Sequence, residues 1–244
     1  MQRPDPRVAD VVQSGKIRVA LFLPQYAEHP GSGELRGIGT GFIAIELGHV
    51  VAARLDVELS LIGLPTPAKA VECVKSNGCD AAFLGIEPSR AAEVDFSPAI
   101  FQFDYSFLVP AGSAIQSTAD ADRRGVRIAV VDSHASALAL RRMVTHAKLV
   151  GSELPDAAFD LLTSRKADAL AFPRDQLLDF AAKLPGACVL ADGYGINRVA
   201  MAVAKGRAGW LAYVSEFVAE AKASGLIERA IAHGALRGFK VAAA

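Results

Sequence analysis

The chain has 244 residues, 52% of them hydrophobic, and its 26 basic side chains balance 26 acidic ones. That composition excludes disorder, and a net charge of zero supplies no basic face for nucleic acid or an anionic membrane, so a small molecule is the expected partner. No stretch reaches the ~18 consecutive apolar residues that a membrane span needs, and the opening MQRPDPRVADVV is not a basic segment followed by an apolar one.

In chain order, residues 17–23 (IRVALFL) read as a buried strand, followed by a Pro- and Gly-rich loop to residue 41 in which Gln25 and Tyr26 are candidates to line a cleft. Residues 42–55 carry apolar side chains at helical spacing, and 57–64 return as a strand. Residues 66–77 form a helix, with Thr66 as N-cap, Pro67 at its first position and Gly78 after its end. Residues 80–86 are the next strand, apolar without alternation from residue 81 on. Alternation of strand and helix predicts parallel sheets with right-handed crossovers.

An extended aromatic run at 101–110 places Phe101, Phe103, Tyr105 and Phe107 on one packed strand face. A second set then repeats the pattern: strand 127–131, helices 135–147 and 156–164, strand 167–172, extended segment 197–204, and helices around 210–223 and 226–233. The organisation is two α/β lobes, 1–108 with 203–244 and 109–202, joined by two extended crossings that act as a hinge. Cys73, Cys79 and Cys188 are odd in number and are expected to be buried free thiols. His49, His146 and His233 are expected to face solvent. No His spacing suits a metal, and Gly37, Gly39 and Gly41 lack the strand and lysine of a phosphate loop.

The segment 80–98, DAAFLGIEPSRAAEVDFSP, sets Arg90 just beyond the end of a buried strand, where sheets of this kind place their ligands. A carboxylate is the group a guanidinium there would grip. By spacing alone, Arg90 equally suits a surface pairing with Glu87 or Glu93.

This segment resembles type II periplasmic solute-binding proteins of family 3, which serve polar amino-acid ABC importers. The resemblance extends through IRVALFL, IELGHVVAARLDVEL, TPAKAVECVKSNGCDAAF, GVRIAVVDSHAS, DAAFDLLTSRKADALAF and SGLIERAI. It implies a two-lobed fold of mainly parallel sheets flanked by helices, closing on a solute with Arg90 on its carboxylate. Gly85 and Glu87 stand where the family often has Thr or Ser, and Ser133 and His134 occupy its second-lobe turn. Acids common after the first strand and after the late strand are replaced by Phe22 and by Pro173, with Arg174 and Asp175 following. The solute is then either a carboxylate without an ammonium or one whose ammonium meets Glu87, Asp132 or Asp175.

The expected ligand contacts are therefore Arg90, Gly85, Glu87, Ser133, His134, Tyr26, Gln25 and Arg174, with no catalytic residue, metal or cofactor. The resemblance implies a soluble periplasmic monomer, its signal peptide removed, that delivers a small carboxylate-bearing solute to an ABC permease. The alternatives are a cyclohexadienyl or arogenate dehydratase-like enzyme on the same fold, or a ligand-sensing module.

Overall fold

In the computed structural model, which describes residues 5–243, the chain divides into two units. The first holds the described residues up to Phe101, Arg198–Leu236 and the residues from Lys240; the second holds Gln102–Asn197 and Arg237–Phe239. The breaks at 101/102 and 197/198 come earlier in each crossing than the expected 108/109 and 202/203. Pairing sets them there: residues 105–108 ladder with second-unit strand residues, and residues 199–202 with first-unit ones.

The first unit opens with α1 (Ala9–Ser14), β1 (Lys16–Phe22) and a hairpin of β2 (Tyr26–Glu28) and β3 (Leu35–Gly37). Then come α2 (Thr40–Leu55), β4 (Glu58–Leu64), α3 (Pro67–Lys75), β5 (Ala81–Gly85), α4 (Pro88–Ala91) and β6 (Val94–Phe96). α2 buries Ile43, Leu47, Val51 and Leu55 along one stripe, the period expected of a helix lying on a sheet. α3 starts as its sequence dictates, with Thr66 Oγ1 accepting from the Lys69 N–H at 3.3 Å and Pro67 at the first position. β1 lies between β4 and β5 and is parallel to both.

The cysteines differ from expectation. Cys73 and Cys79 form a disulfide with their Cα atoms 5.4 Å apart, and Cys188 is free but exposed. The six-residue spacing hid the pair because the chain doubles back after α3: Asn77 takes a left-handed conformation (φ 58°), and both Gly78 and Cys79 donate their N–H to Cys73 O.

The second unit contains β7 (Phe101–Val109, from its second residue on), α5 (Thr118–Ala121), β8 (Arg127–Val131), α6 (Ala135–Arg141) and β9 (Lys148–Ser152). It continues with α7 (Pro155–Thr163), β10 (Ala169–Pro173), α8 (Arg174–Ala181) and β11 (Cys188–Val189). β8 is parallel to β9 and β10, and β7 runs antiparallel to β10 and β11. α6 stops at Arg141, short of the expected 147, because the Asp122 carboxylate collects the N–H groups of Thr145, His146 and Ala147 and turns the chain into β9. The aromatic alternation in β7 is a packed face, with Phe103, Tyr105 and Phe107 all buried.

The chain returns to the first unit through β12 (Gly195–Ala204), whose later residues pair antiparallel with β5 and β6, and ends in α9 (Ala208–Ala223) and α10 (Leu226–His233). Each unit thus has a parallel core of three strands with antiparallel additions. The two cores share one device. Asp80, just before β5, accepts from Arg18 N, Nε and Nη2 at 2.9 Å each and returns its own N–H to Arg18 O at 2.8 Å. Asp168, just before β10, does the same with Arg127, at 2.8, 3.1 and 2.8 Å, again with a 2.8 Å return bond.

Their surroundings differ. Asp80 is buried (side chain 4% exposed), takes a further bond from Arg207, and offers its carbonyl to Trp210 Nε1 at 2.9 Å, whereas Asp168 is 37% exposed. Burial opposes ionisation of Asp80, but the bonds from Arg18 and the charges of Arg18 and Arg207 outweigh it and hold the carboxyl below the usual range. Removing one partner of a buried pair costs about 3–5 kcal/mol, and of an exposed pair roughly 1 kcal/mol. Asp80→Ala is therefore expected to lower stability in urea unfolding, followed by the fluorescence of the single tryptophan, clearly more than Asp168→Ala does.

Candidate functional site

At the carboxyl ends of β1, β4 and β5 the first unit gathers three loops, residues 22–27, 63–66 and 85–90. Together they contain one acid, Glu87, and one base, Arg90. β5 ends at Gly85, and Pro88, with its fixed φ, opens the single turn of α4 that carries Arg90. Arg90 is 6% exposed, and its Nη1 donates to Gly85 O at 3.0 Å, which folds the side chain back over the strand end. Glu87 is the N-cap residue of α4, 5% exposed, yet its side chain makes no capping hydrogen bond. Ile86, between Gly85 and Glu87, is 39% exposed.

Gln25 and Tyr26 are both held by structural bonds. The Gln25 amide donates to Thr40 Oγ1 at 2.9 Å and Phe83 O at 3.2 Å, tying the loop after β1 to β5. Tyr26 packs its ring on Gly63 and donates its hydroxyl to Leu64 O at 3.4 Å, which places it over β4. β1 separates that position from β5. The glycines at 37 and 41 have a packing reason, since a Cβ at Gly41 would run into Gln25 O and one at Gly37 would lie 2.6 Å from Gly41 O.

In the second unit Ser133 and His134 form the turn after β8. His134 corresponds to Gln25 in the repeat: each donates its N–H three residues back to the last residue of its strand, at 3.0 and 2.6 Å. His134 caps α6, its Nδ1 accepting from Ser136 N at 3.2 Å and meeting Ser136 Oγ at 2.8 Å, while the ring packs 4.7 Å from that of Phe172. Accepting at Nδ1 requires the neutral tautomer with its proton on Nε2. Arg174 donates to the carbonyls of Leu190, Ala191 and Asp192 at 2.7–3.0 Å. Asp132 is paired with Arg141.

Of two further features, Tyr194 escaped the sequence and Asp175 was a candidate whose surroundings the sequence does not show. Tyr194 stacks on Tyr105 with centroids 5.6 Å apart and donates to Ser136 O at 3.5 Å; burial pushes its phenol up. No spacing signals it, since it lies in an irregular stretch before β12. Asp175, in the first turn of α8, has a buried Oδ1 with no hydrogen-bond partner among the described residues. Burial pushes its carboxyl up to about 6; nearby Asp179 adds to this, while the N–H groups of Gln176 and Asp175 and the charge of Arg237 act against it.

Among the described residues no group of three or more His, Cys, Asp or Glu is placed to hold a metal, and no helix is long and apolar enough to cross a membrane.

Residues 29–233 match the family described as bacterial extracellular solute-binding proteins, family 3. The chain belongs to that family. Among solved structures it is similar to the solute receptor for L-cysteine of Neisseria gonorrhoeae, at 24% identity and a TM-score of 0.79 over 95% of this chain and 94% of that one. It is similar to an amino acid ABC transporter substrate-binding protein from Streptococcus pneumoniae bound to L-arginine, at 20% identity and a TM-score of 0.76 over 94% and 97%. A third is an ancestral amino acid-binding protein, a precursor of cyclohexadienyl dehydratase, at 22% identity and a TM-score of 0.77 over 93% and 97%. These likenesses show the type II periplasmic binding protein fold. No curated protein matches the chain.

Asp175 makes a pH prediction. A carboxyl whose pKa is raised in the folded state holds its proton there at pH values where the unfolded chain has released it, so stability falls as pH rises from about 4 to about 6 and stays reduced above. Asp175→Asn is expected to raise the unfolding free energy at pH 7.5 by up to about 3 kcal/mol, at 1.36 kcal/mol per pKa unit, and to change it little at pH 4, as read by urea melts.

Proposed function

We propose that this protein is the extracytoplasmic receptor of an ABC importer and binds a small carboxylate-bearing solute, an amino acid or a related organic acid, with Arg90 as the carboxylate anchor. The observation that carries the reading is Arg90 itself: a guanidinium nine-tenths buried at the carboxyl end of a central strand, the one base among three converging loops. Guanidinium geometry matches a carboxylate with two parallel hydrogen bonds. Family membership and the amino acids named for the similar receptors support the solute class. The Cys73–Cys79 disulfide supports an oxidising, extracytoplasmic setting.

Gly85 and Glu87 flank the anchor, and Ser133 with the Nε2–H of His134 supplies donors in the second unit. A membrane permease is the partner this reading requires, and the receptor acts as a monomer. The ancestral precursor of cyclohexadienyl dehydratase favours one second reading, an enzyme that converts prephenate or arogenate. Incubation with either compound and a search for an aromatic product separates the two.

A thermal-shift panel of amino acids, keto acids and aromatic acids identifies the solute, because a ligand that binds only the folded state raises its melting temperature. For a hit, calorimetry on Arg90→Ala is expected to show affinity lowered by at least about 30-fold, the effect of removing one member of a buried charge-assisted pair. Arg90→Lys keeps the charge without the fork and is expected to recover only part of it. Wild-type affinity in Arg90→Ala would remove Arg90 from the site.

A further inference from the structure

The end of a chain frays unless something ties it down, and the segment after α10 is tied down in both units. The helix closes at Gly234, Ala235 takes a left-handed conformation (φ 48°), and Leu236 donates its N–H back to Ile231 O at 3.1 Å. Residues 237–239 then belong to the second unit, and from Lys240 the chain is back in the first. Gly238 makes the return turn at φ 79°, a conformation that a side chain would strain.

Within the second unit, Phe239 is 7% exposed and packs its ring 4.7 Å from that of Phe103, while Arg237 donates to Asp179 of α8 at 3.0 Å. The ring is the stronger of these anchors. It takes a large apolar surface out of water, whereas both members of the ion pair are 69% exposed. Within the first unit, Ala242 is buried and donates its N–H to Ile100 O at 3.0 Å. Between the two anchors lies β13 (Lys240–Val241), which pairs with β7.

Three residues separate Phe239 from Ala242, and three separate Phe103 from Ile100, as an antiparallel ladder requires. The segment therefore runs alongside the break at 101/102, held by Ile100 before it and by Phe103 after it. β12 is laddered to β7 in the same way, with Ile100 N donating to Val199 O at 2.7 Å in the first unit and Tyr194 N to Tyr105 O at 3.1 Å in the second. A single strand bends through its own φ and ψ. Strands joined by ladder hydrogen bonds must bend together or part.

We propose that residues 237–242 are a splint on the hinge. Among the described residues, three segments of chain link the units where the sequence shows two, and the third restricts bending at the first crossing. A splinted hinge keeps the solute-free protein within a narrow set of conformations. The proposal does not involve Arg90 and is tested without any solute.

Two measurements test it. Amide hydrogen exchange on the wild-type protein reads the ladder, and the Ala242 N–H is expected to exchange at least about 100-fold more slowly than in an unstructured chain. Double electron–electron resonance reads the motion, with one spin label on Cys188, the exposed free cysteine of the second unit, and one on Glu58→Cys at the exposed start of β4 in the first. In that labelled background Phe239→Ala removes the ring anchor and Ala242→Pro removes the N–H that bonds Ile100. Each is expected to widen the distance distribution about twofold or to add a second population, with folding checked by the fluorescence of the single tryptophan.

Widening in either variant upholds the splint. An Ala242 N–H that exchanges at the rate of an unstructured chain overturns it in the wild-type protein alone, so the test holds even if a variant fails to fold. A distribution unchanged in both variants also overturns it, since the segment is then a docked chain end with no hold on the hinge.

Discussion

A carboxylate set one residue before a central strand, gripping an arginine on the neighbouring strand, is the constraint on which each unit depends. In a parallel pair a one-residue slip turns every side chain to the opposite face. The tie between Arg18 and Asp80 uses backbone and guanidinium together, so only one alignment of β1 and β5 satisfies it. That alignment fixes where β5 ends, and so where Gly85, Glu87 and Arg90 emerge. The Arg127–Asp168 tie sets β8 and β10 in the same manner and positions the turn at Ser133 and His134. Repetition extends to the helices: α3 and α7 each begin with a proline, end at a serine C-cap, and are followed by a residue in the left-handed region, Asn77 or Arg165.

The element order was legible because burial on both faces writes itself as apolar runs, residues 19–22 of β1, 81–84 of β5, 128–131 of β8 and 169–172 of β10, and because α3 carries its own start and stop residues. What could not be read was set by contacts distant in sequence. β9 went unread in the gap between the expected helices 135–147 and 156–164, since the turn that leads into it is made by Asp122. α8 was not among the expected helices, because it follows β10 without a linker and Pro173 is both the last residue of the strand and the N-cap of the helix. The disulfide was missed because an odd count argued against pairing, while the left-handed turn that closes it leaves only Asn-Gly as a trace.

The site divides along the same line. Arg90 was visible as an arginine just past an apolar strand, and its burial is what the structure adds. Gln25, Tyr26 and Arg174 looked available because they are polar residues in loops, but each is held by hydrogen bonds to carbonyls or a hydroxyl that lie far away in sequence. Glu87 looked like a departure from a hydroxyl-bearing turn. The structure buries it at the N-cap of α4, where its side chain makes no capping hydrogen bond.

The central claim is that a solute carboxylate rests on Arg90. A crystal structure of the protein with a solute found by thermal shift tests it most directly. The account predicts both carboxylate oxygens within hydrogen-bond distance of the Arg90 guanidinium. A solute whose carboxylate lies away from Arg90, with the guanidinium still turned back on Gly85, would contradict it.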